Sequence, residues 1–185
     1  MSKILILGAG AMGSAFTYPC IDNGHKVTLI GTHLENNFID KIKNKNNFHK
    51  VLGRKLPKTL EILKFNKLKE KIKTKFDLIV VGVNSKGISW AAKEIGKFHN
   101  GKTPILLLTK GLTVINNKIV PLTYKFLHMM GNFSKFKNLK ITGVAGPCIA
   151  KDLAKKIKTA VVFANTDLNL AKKISKLINT NYYEV

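Results

Sequence analysis

A few short clusters in this chain have residue types and spacings that could do chemistry. Gly8-Ala9-Gly10-Ala11-Met12-Gly13 reads G-x-G-x-x-G. Gly8 permits a tight turn off a strand, Gly10 lets backbone approach a pyrophosphate, and Gly13 lets a helix pack closely on that strand. A helix starting there offers unpaired N–H groups and the positive end of its dipole to phosphate oxygens. The pattern points to a dinucleotide, NAD or NADP. Thr32 and His33, with Glu35 two positions on, follow a second apolar run. A carboxylate at that strand end would hold the adenosine ribose of NAD. With Gly31, Thr32 and His33 there instead, donors face a 2′-phosphate, and the reading leans to NADP. Asn84 and Ser85 follow a third apolar run beside the expected cofactor path, where Ser85 would serve equally as a helix N-cap. Lys110 emerges from a fourth run, between Thr109 and Gly111.

These clusters need a scaffold that brings strand ends to one edge. Lys3 to Leu7 and Lys26 to Ile30 are short β-forming runs on either side of the glycine motif. Together they make a strand, turn, helix, strand unit of about thirty residues, the context that gives the motif meaning. The helix is expected from Gly10 to Asp22, bent by Pro19 and stopped by Asn23-Gly24. Further strands are expected over Asp77 to Val83, Pro104 to Leu108, Leu139 to Val144 and Thr159 to Ala164. Near-continuous β-branched runs such as the first of these belong to central parallel strands. Helices are expected over Asn36 to Asn46, Asn66 to Lys75, Ser85 to Phe98, within Val114 to Met130, Asp152 to Lys156, and Asp167 to Ile178. The last would bury Leu170, Ile174 and Leu177. Asn47 to Leu63 reads as a loop with a short strand at its apolar end, Tyr182 to Val185 as a last edge strand, and Trp90 as core or interface. The alternation implies an α/β chain: a doubly wound, mainly parallel Rossmann-type sheet forming one domain over residues 1–185. Ligands of such sheets lie at the C-terminal ends of the strands, where these clusters fall.

Composition narrows the function classes. Hydrophobic residues make up 45% of 185 residues, enough for one ordinary core. No apolar run is long enough for a membrane span, and the N-terminus does not read as a signal peptide. Cys20 and Cys148 have no metal-ligand spacing, which fits free thiols in a cytoplasmic protein. The net charge is +22, from 32 basic and 10 acidic residues. Arg54 is the single arginine, whereas base-reading surfaces usually use the planar arginine fork. The lysines are spread over many segments. The charge therefore reads as compositional, with no sequence-specific nucleic-acid partner.

The glycine motif, Thr109-Lys110-Gly111, and Gly146-Pro147-Cys148-Ile149-Ala150 followed by Thr159-Ala160-Val161-Val162 stand in one order. In that order they resemble the N-terminal domain of NAD(P)-dependent glycerol-3-phosphate dehydrogenase, over essentially the whole chain. The resemblance implies reversible hydride transfer between a nicotinamide cofactor and the pair dihydroxyacetone phosphate and sn-glycerol 3-phosphate, a supply step for phospholipid biosynthesis. It implies that Gly8, Gly10 and Gly13 form the pyrophosphate turn, with Ala11 and Met12 flanking the cofactor. His33 would lie near the adenosine ribose and Ser85 near the cofactor path. Lys110 would lie beside nicotinamide and substrate, Gly146 and Cys148 on the substrate side, and Ala150 on the cofactor side. Cys148 departs from the family's Ser or Thr, and a thiol is a weaker hydrogen-bond partner. Family members continue into a helical C-terminal domain that supplies the proton-transferring lysine. This sequence stops at Val185, so the expectation is half an active site, completed by that domain or by a separate polypeptide carrying it. The alternatives are a non-catalytic NAD(P)-binding module and a related β-hydroxyacid dehydrogenase.

Overall fold

A computed structural model describes residues 1–131 and 133–185. In chain order the elements begin with β1 (Lys3–Leu7), α1 (Ala11–Ala15), α2 (Thr17–Asp22), β2 (Lys26–Ile30) and α3 (Asn36–Asn44). Then come β3 (Phe48–His49), β4 (Arg54–Lys55), β5 (Glu61–Leu63), α4 (Leu68–Ile72), β6 (Leu78–Val81) and α5 (Ile88–Phe98). β7 (Ile105–Leu107), β8 (Leu112–Ile115), β9 (Lys118–Pro121), α6 (Leu122–Met129) and α7 (Phe133–Phe136) follow. The chain closes with β10 (Ile141–Ala145), α8 (Ala150–Ala154), β11 (Thr159–Ala160), β12 (Val162–Ala164), α9 (Leu168–Ile178) and β13 (Tyr183–Glu184).

The main sheet has seven strands in the order β12-β10-β7-β6-β1-β2-β5. All its pairs are parallel except β10 with β12. β1 pairs with β2 on one side and with β6 on the other. The strand order therefore reverses at β1, and a crevice opens there at the C-terminal edge. Period-two alternation splits the core. Ile4 and Ile6 of β1 face the layer that holds Ala15, Leu153 and Ile174, whereas Leu5 and Leu7 face the layer of Ile88, Ile95 and Phe126. Helices thus cover both faces, as the doubly wound expectation requires.

Several local expectations are corrected. The first helix breaks at Phe16 into α1 and α2, one turn before Pro19, because Pro19 has no N–H to give the carbonyl of Ala15. Residues 48–55 are a small antiparallel hairpin, not a loop. The helix expected within Val114 to Met130 is there as α6, but an unexpected hairpin precedes it, in which Leu112–Ile115 pairs with Lys118–Pro121. Asn116 and Asn117 both take left-handed backbone, with φ of 50° and 59°, which is the tight hairpin geometry that asparagine tolerates. The run from Thr159 to Ala164 divides at Val161. Its first part pairs with β13 in a separate two-stranded sheet and its second with β10. α9 fully buries Ala171, Ile174 and Ile178, with Leu170 and Leu177 only partly covered. Asn84, not Ser85, caps the turn before α5, accepting from the N–H of Gly87 at 3.0 Å.

His99 ends α5 and is buried. The N–H of Gly101 donates to its Nδ1 at 2.9 Å, so Nδ1 carries no proton and Nε2 donates to the carbonyl of Thr103, also at 2.9 Å. Burial, reinforced by Lys135, holds its pKa below the ordinary 6.5. A depressed histidine contributes stability that is full above the unfolded value and is lost as pH falls through the folded value. The urea midpoint should therefore drop as pH falls below the ordinary 6.5, and His99→Gln should flatten that drop. An equally steep loss in the variant would assign the acid sensitivity elsewhere.

Candidate functional site

The parallel strands deliver their C-terminal ends to one edge, and β1, β2, β6, β7 and β10 each carry one of the sequence clusters there. At the end of β1, three backbones touch. A Cβ on Gly13 would lie 2.1 Å from the Gly8 carbonyl oxygen, and one on Gly82, just past β6, would lie 2.7 Å from Cα of Gly13. Gly8 has φ of +107°, which only glycine takes without strain. Gly10 differs from these. Its backbone is unstrained, and a Cβ there would meet only Glu35 Oε1, at an ordinary 3.7 Å. Nothing in the protein requires glycine at position 10, while a pyrophosphate lying against the turn would. The residues present thus fit a dinucleotide. Ala11 and Met12 form the first turn of α1, whose N–H groups have no intrahelical partner. Ala150 begins α8, which packs against α1.

At the end of β2 the structure changes the electrostatic picture. Glu35 folds back, and its Oε2 accepts from the N–H of Ala9 at 2.9 Å and of Thr32 at 2.7 Å. The strand end was read as lacking a carboxylate, but here one touches the glycine turn. The start of α3 directly after Glu35 brings it back, a placement that linear spacing does not show. His33 is exposed, with its ring 4.6 Å from Trp90 and 6.0 Å from Phe65, while Phe65 and Trp90 lie 5.2 Å apart. Trp90, read from sequence as core or interface, is half-buried and forms one wall of this aromatic cluster past the end of β2.

Ser85 is exposed past the end of β6. Past β7, Thr109 Oγ1 donates to the carbonyl of Val83, tying the two strand ends together. Lys110 Nζ donates to the carbonyl of Gly146. Gly146 takes φ of +99°, a left-handed turn that any side chain would strain. Thr159 Oγ1 donates to the carbonyl of Pro147 at 2.8 Å, fixing the loop that carries Cys148. Burial raises the Cys148 pKa, partly offset by the Lys110 charge and a Thr159 hydrogen bond, so it stands as a neutral thiol. A cavity of about 760 Å³ opens beside Lys110 and Gly146, with Leu122, Tyr124 and Thr166 among its walls. It lies on the Lys110 side of the crevice and not over the glycine turn. Beside it the hairpin β8–β9 exposes Leu112 and Ile119. Among the described residues no cluster of metal ligands occurs, and no helix is long and apolar enough to cross a membrane.

Comparisons with known proteins bear on the family and the fold. The family described as NAD-dependent glycerol-3-phosphate dehydrogenase N-terminus matches residues 3–171. The chain is 29% identical over 182 residues to the NADP(+)-dependent glycerol-3-phosphate dehydrogenase of Archaeoglobus fulgidus, covering 98% of this chain and 52% of that protein. It is 27% identical to the glycerol-3-phosphate dehydrogenase [NAD(P)+] of Oceanobacillus iheyensis, covering 100% of this chain and 51% of that one. The chain thus spans about half the length of the curated relatives it matches. A solved glycerol-3-phosphate dehydrogenase from Coxiella burnetii superposes on all of this chain and 53% of its own, with a TM-score of 0.80 and 20% identity, a likeness of fold.

The glycines make opposite predictions. Gly13→Ala should cost about 3 kcal/mol or more of stability, because the backbone it strikes cannot yield. Gly10→Ala should keep stability within about 1 kcal/mol while weakening NADH and NADPH binding by more than about tenfold. Denaturant unfolding and cofactor titration separate the two, and unchanged affinity in Gly10→Ala defeats the phosphate-turn reading.

Proposed function

Because the chain belongs to the family of the NAD-dependent glycerol-3-phosphate dehydrogenase N-terminus, we propose that it binds NAD or NADP across the crevice at β1. We propose further that it forms the cofactor half of an enzyme interconverting dihydroxyacetone phosphate and sn-glycerol 3-phosphate. The observation that carries the reading is Lys110. Its ammonium is held by the Gly146 carbonyl at the same sheet edge as a glycine turn with room for a pyrophosphate. Gly8, Gly10 and Gly13, with the first-turn N–H groups of Ala11 and Met12, bind the pyrophosphate. Thr32 and His33 lie along the adenosine end, Ser85 along the cofactor path, and Ala150 against the cofactor side of the turn. The bound cofactor supplies hydride chemistry. Lys110 polarises the substrate carbonyl and stabilises the oxygen that gains charge in reduction. Gly146 and the neutral thiol of Cys148 line the substrate side, the thiol as a weak donor.

The proton that completes reduction needs a second group, and the family resemblance assigns it to a domain beyond these 185 residues or on a separate polypeptide. The cavity beside Lys110 and the exposed apolar hairpin next to it support such a neighbour. For cofactor choice, Thr32 and His33 favour a 2′-phosphate and the Glu35 carboxylate opposes one. The proposal therefore covers both dinucleotides.

The test is oxidation of NADH and NADPH with and without dihydroxyacetone phosphate, by the chain alone and with the C-terminal half of a relative added. Substrate-dependent turnover should fall at least about a hundredfold in Lys110→Ala, with cofactor affinity kept within about twofold. Equal turnover in the variant removes Lys110 from the mechanism. Cofactor binding without turnover under either condition favours the non-catalytic module.

A further inference from the structure

We propose that His49 is a positioning residue for the phosphate turn, and that the hairpin β3–β4 is built to carry it. The inference rests on the dinucleotide-binding reading above. Ala9 sits between two glycines, so its flanking peptide planes meet little steric resistance to rotation. Its polar groups are nevertheless all engaged. The N–H donates to Glu35 Oε2, and the carbonyl accepts from His49 Nε2 at 3.1 Å and from Ser14 Oγ at 3.0 Å. The Ala9 carbonyl and the Gly10 N–H share one planar peptide and point in opposite directions. Donors that hold the carbonyl inward therefore turn the Gly10 N–H out toward the crevice. A flipped plane would present a carbonyl oxygen to an anionic pyrophosphate.

His49 is fixed for this task. It is fully buried, where an unpartnered imidazole would cost free energy. The N–H of Leu52 donates to its Nδ1 at 3.2 Å, which leaves the proton on Nε2, facing Ala9. Phe38 packs edge-on against the ring at 4.9 Å. The hairpin is tied to α2 by Tyr18, whose hydroxyl donates to the carbonyl of Lys55 at 2.7 Å, and is anchored in the core by Leu52 and Leu56. A leucine could fill the space of His49, but it could not orient the peptide.

The experiment measures NADH and NADPH dissociation constants for wild type, His49→Gln, His49→Asn and His49→Leu, by Trp90 fluorescence, with thermal midpoints and hydrogen exchange of residues 8–13. The Gln amide nitrogen reaches the place of Nε2, and that of Asn only the place of Nδ1. His49→Gln should bind within about threefold of wild type. His49→Asn and His49→Leu should weaken binding about tenfold and speed exchange in the turn. If His49→Leu does not fold, the Gln and Asn pair decides. Wild-type affinity in Asn, or losses in Gln and Asn that only track their thermal midpoints, overturns the positioning role. Failure of the wild type itself to bind either dinucleotide removes the premise and the inference with it.

Discussion

Where β1 ends, the Gly8 carbonyl, Cα of Gly13 and the Gly82 backbone meet with no room for a methyl group between them. This contact sets how closely the first helix lies on the sheet. It also ties the β1 turn to the end of β6 across the point where the strand order reverses. A wider approach would tilt α1 away and lower its first-turn N–H groups out of the crevice. A side chain on Gly10, further along the same turn, would meet only Glu35 Oε1, at an ordinary 3.7 Å. One motif thus combines a packing constraint and a ligand constraint, and the two can be taken apart by substitution.

The turn is polarised from below as well as shaped from the side. Glu35, His49 and Ser14 converge on one residue from three separate stretches of chain. Further along the edge, Lys110 and Gly146 form a second polar station beside a neutral thiol. On its Lys110 side the crevice opens into a wide cavity. A site of this form suits a cofactor laid along the sheet edge and a substrate closed in by something else.

The β1–turn–α1–β2 unit and the central strands were legible in the sequence, because their signals are local: short apolar runs, glycine spacing, and strand ends marked by polar residues. The hairpin at Leu112 to Pro121 is also written locally, in Asn116-Asn117 between two β-branched runs, ahead of the helix the same stretch contains. Other features were not legible. Glu35 stands two positions beyond His33 in sequence, and only the start of α3 folds it back to Ala9. His49 lies forty positions from Ala9 and has no motif of its own. Trp90, early in α5, reaches His33, past the end of β2, only because both follow strands that flank β1. In each case the missing information is a contact between strand ends, which periodicity along one segment does not encode.

Trp90 is the single tryptophan and touches His33 at the proposed adenosine end of the crevice. The most direct test of the central claim is therefore a titration of its fluorescence with NADH and with NADPH. The account predicts saturable quenching by at least one of them, reversed by an excess of the matching oxidised cofactor. A folded chain whose Trp90 emission shows no saturable response to either would contradict it.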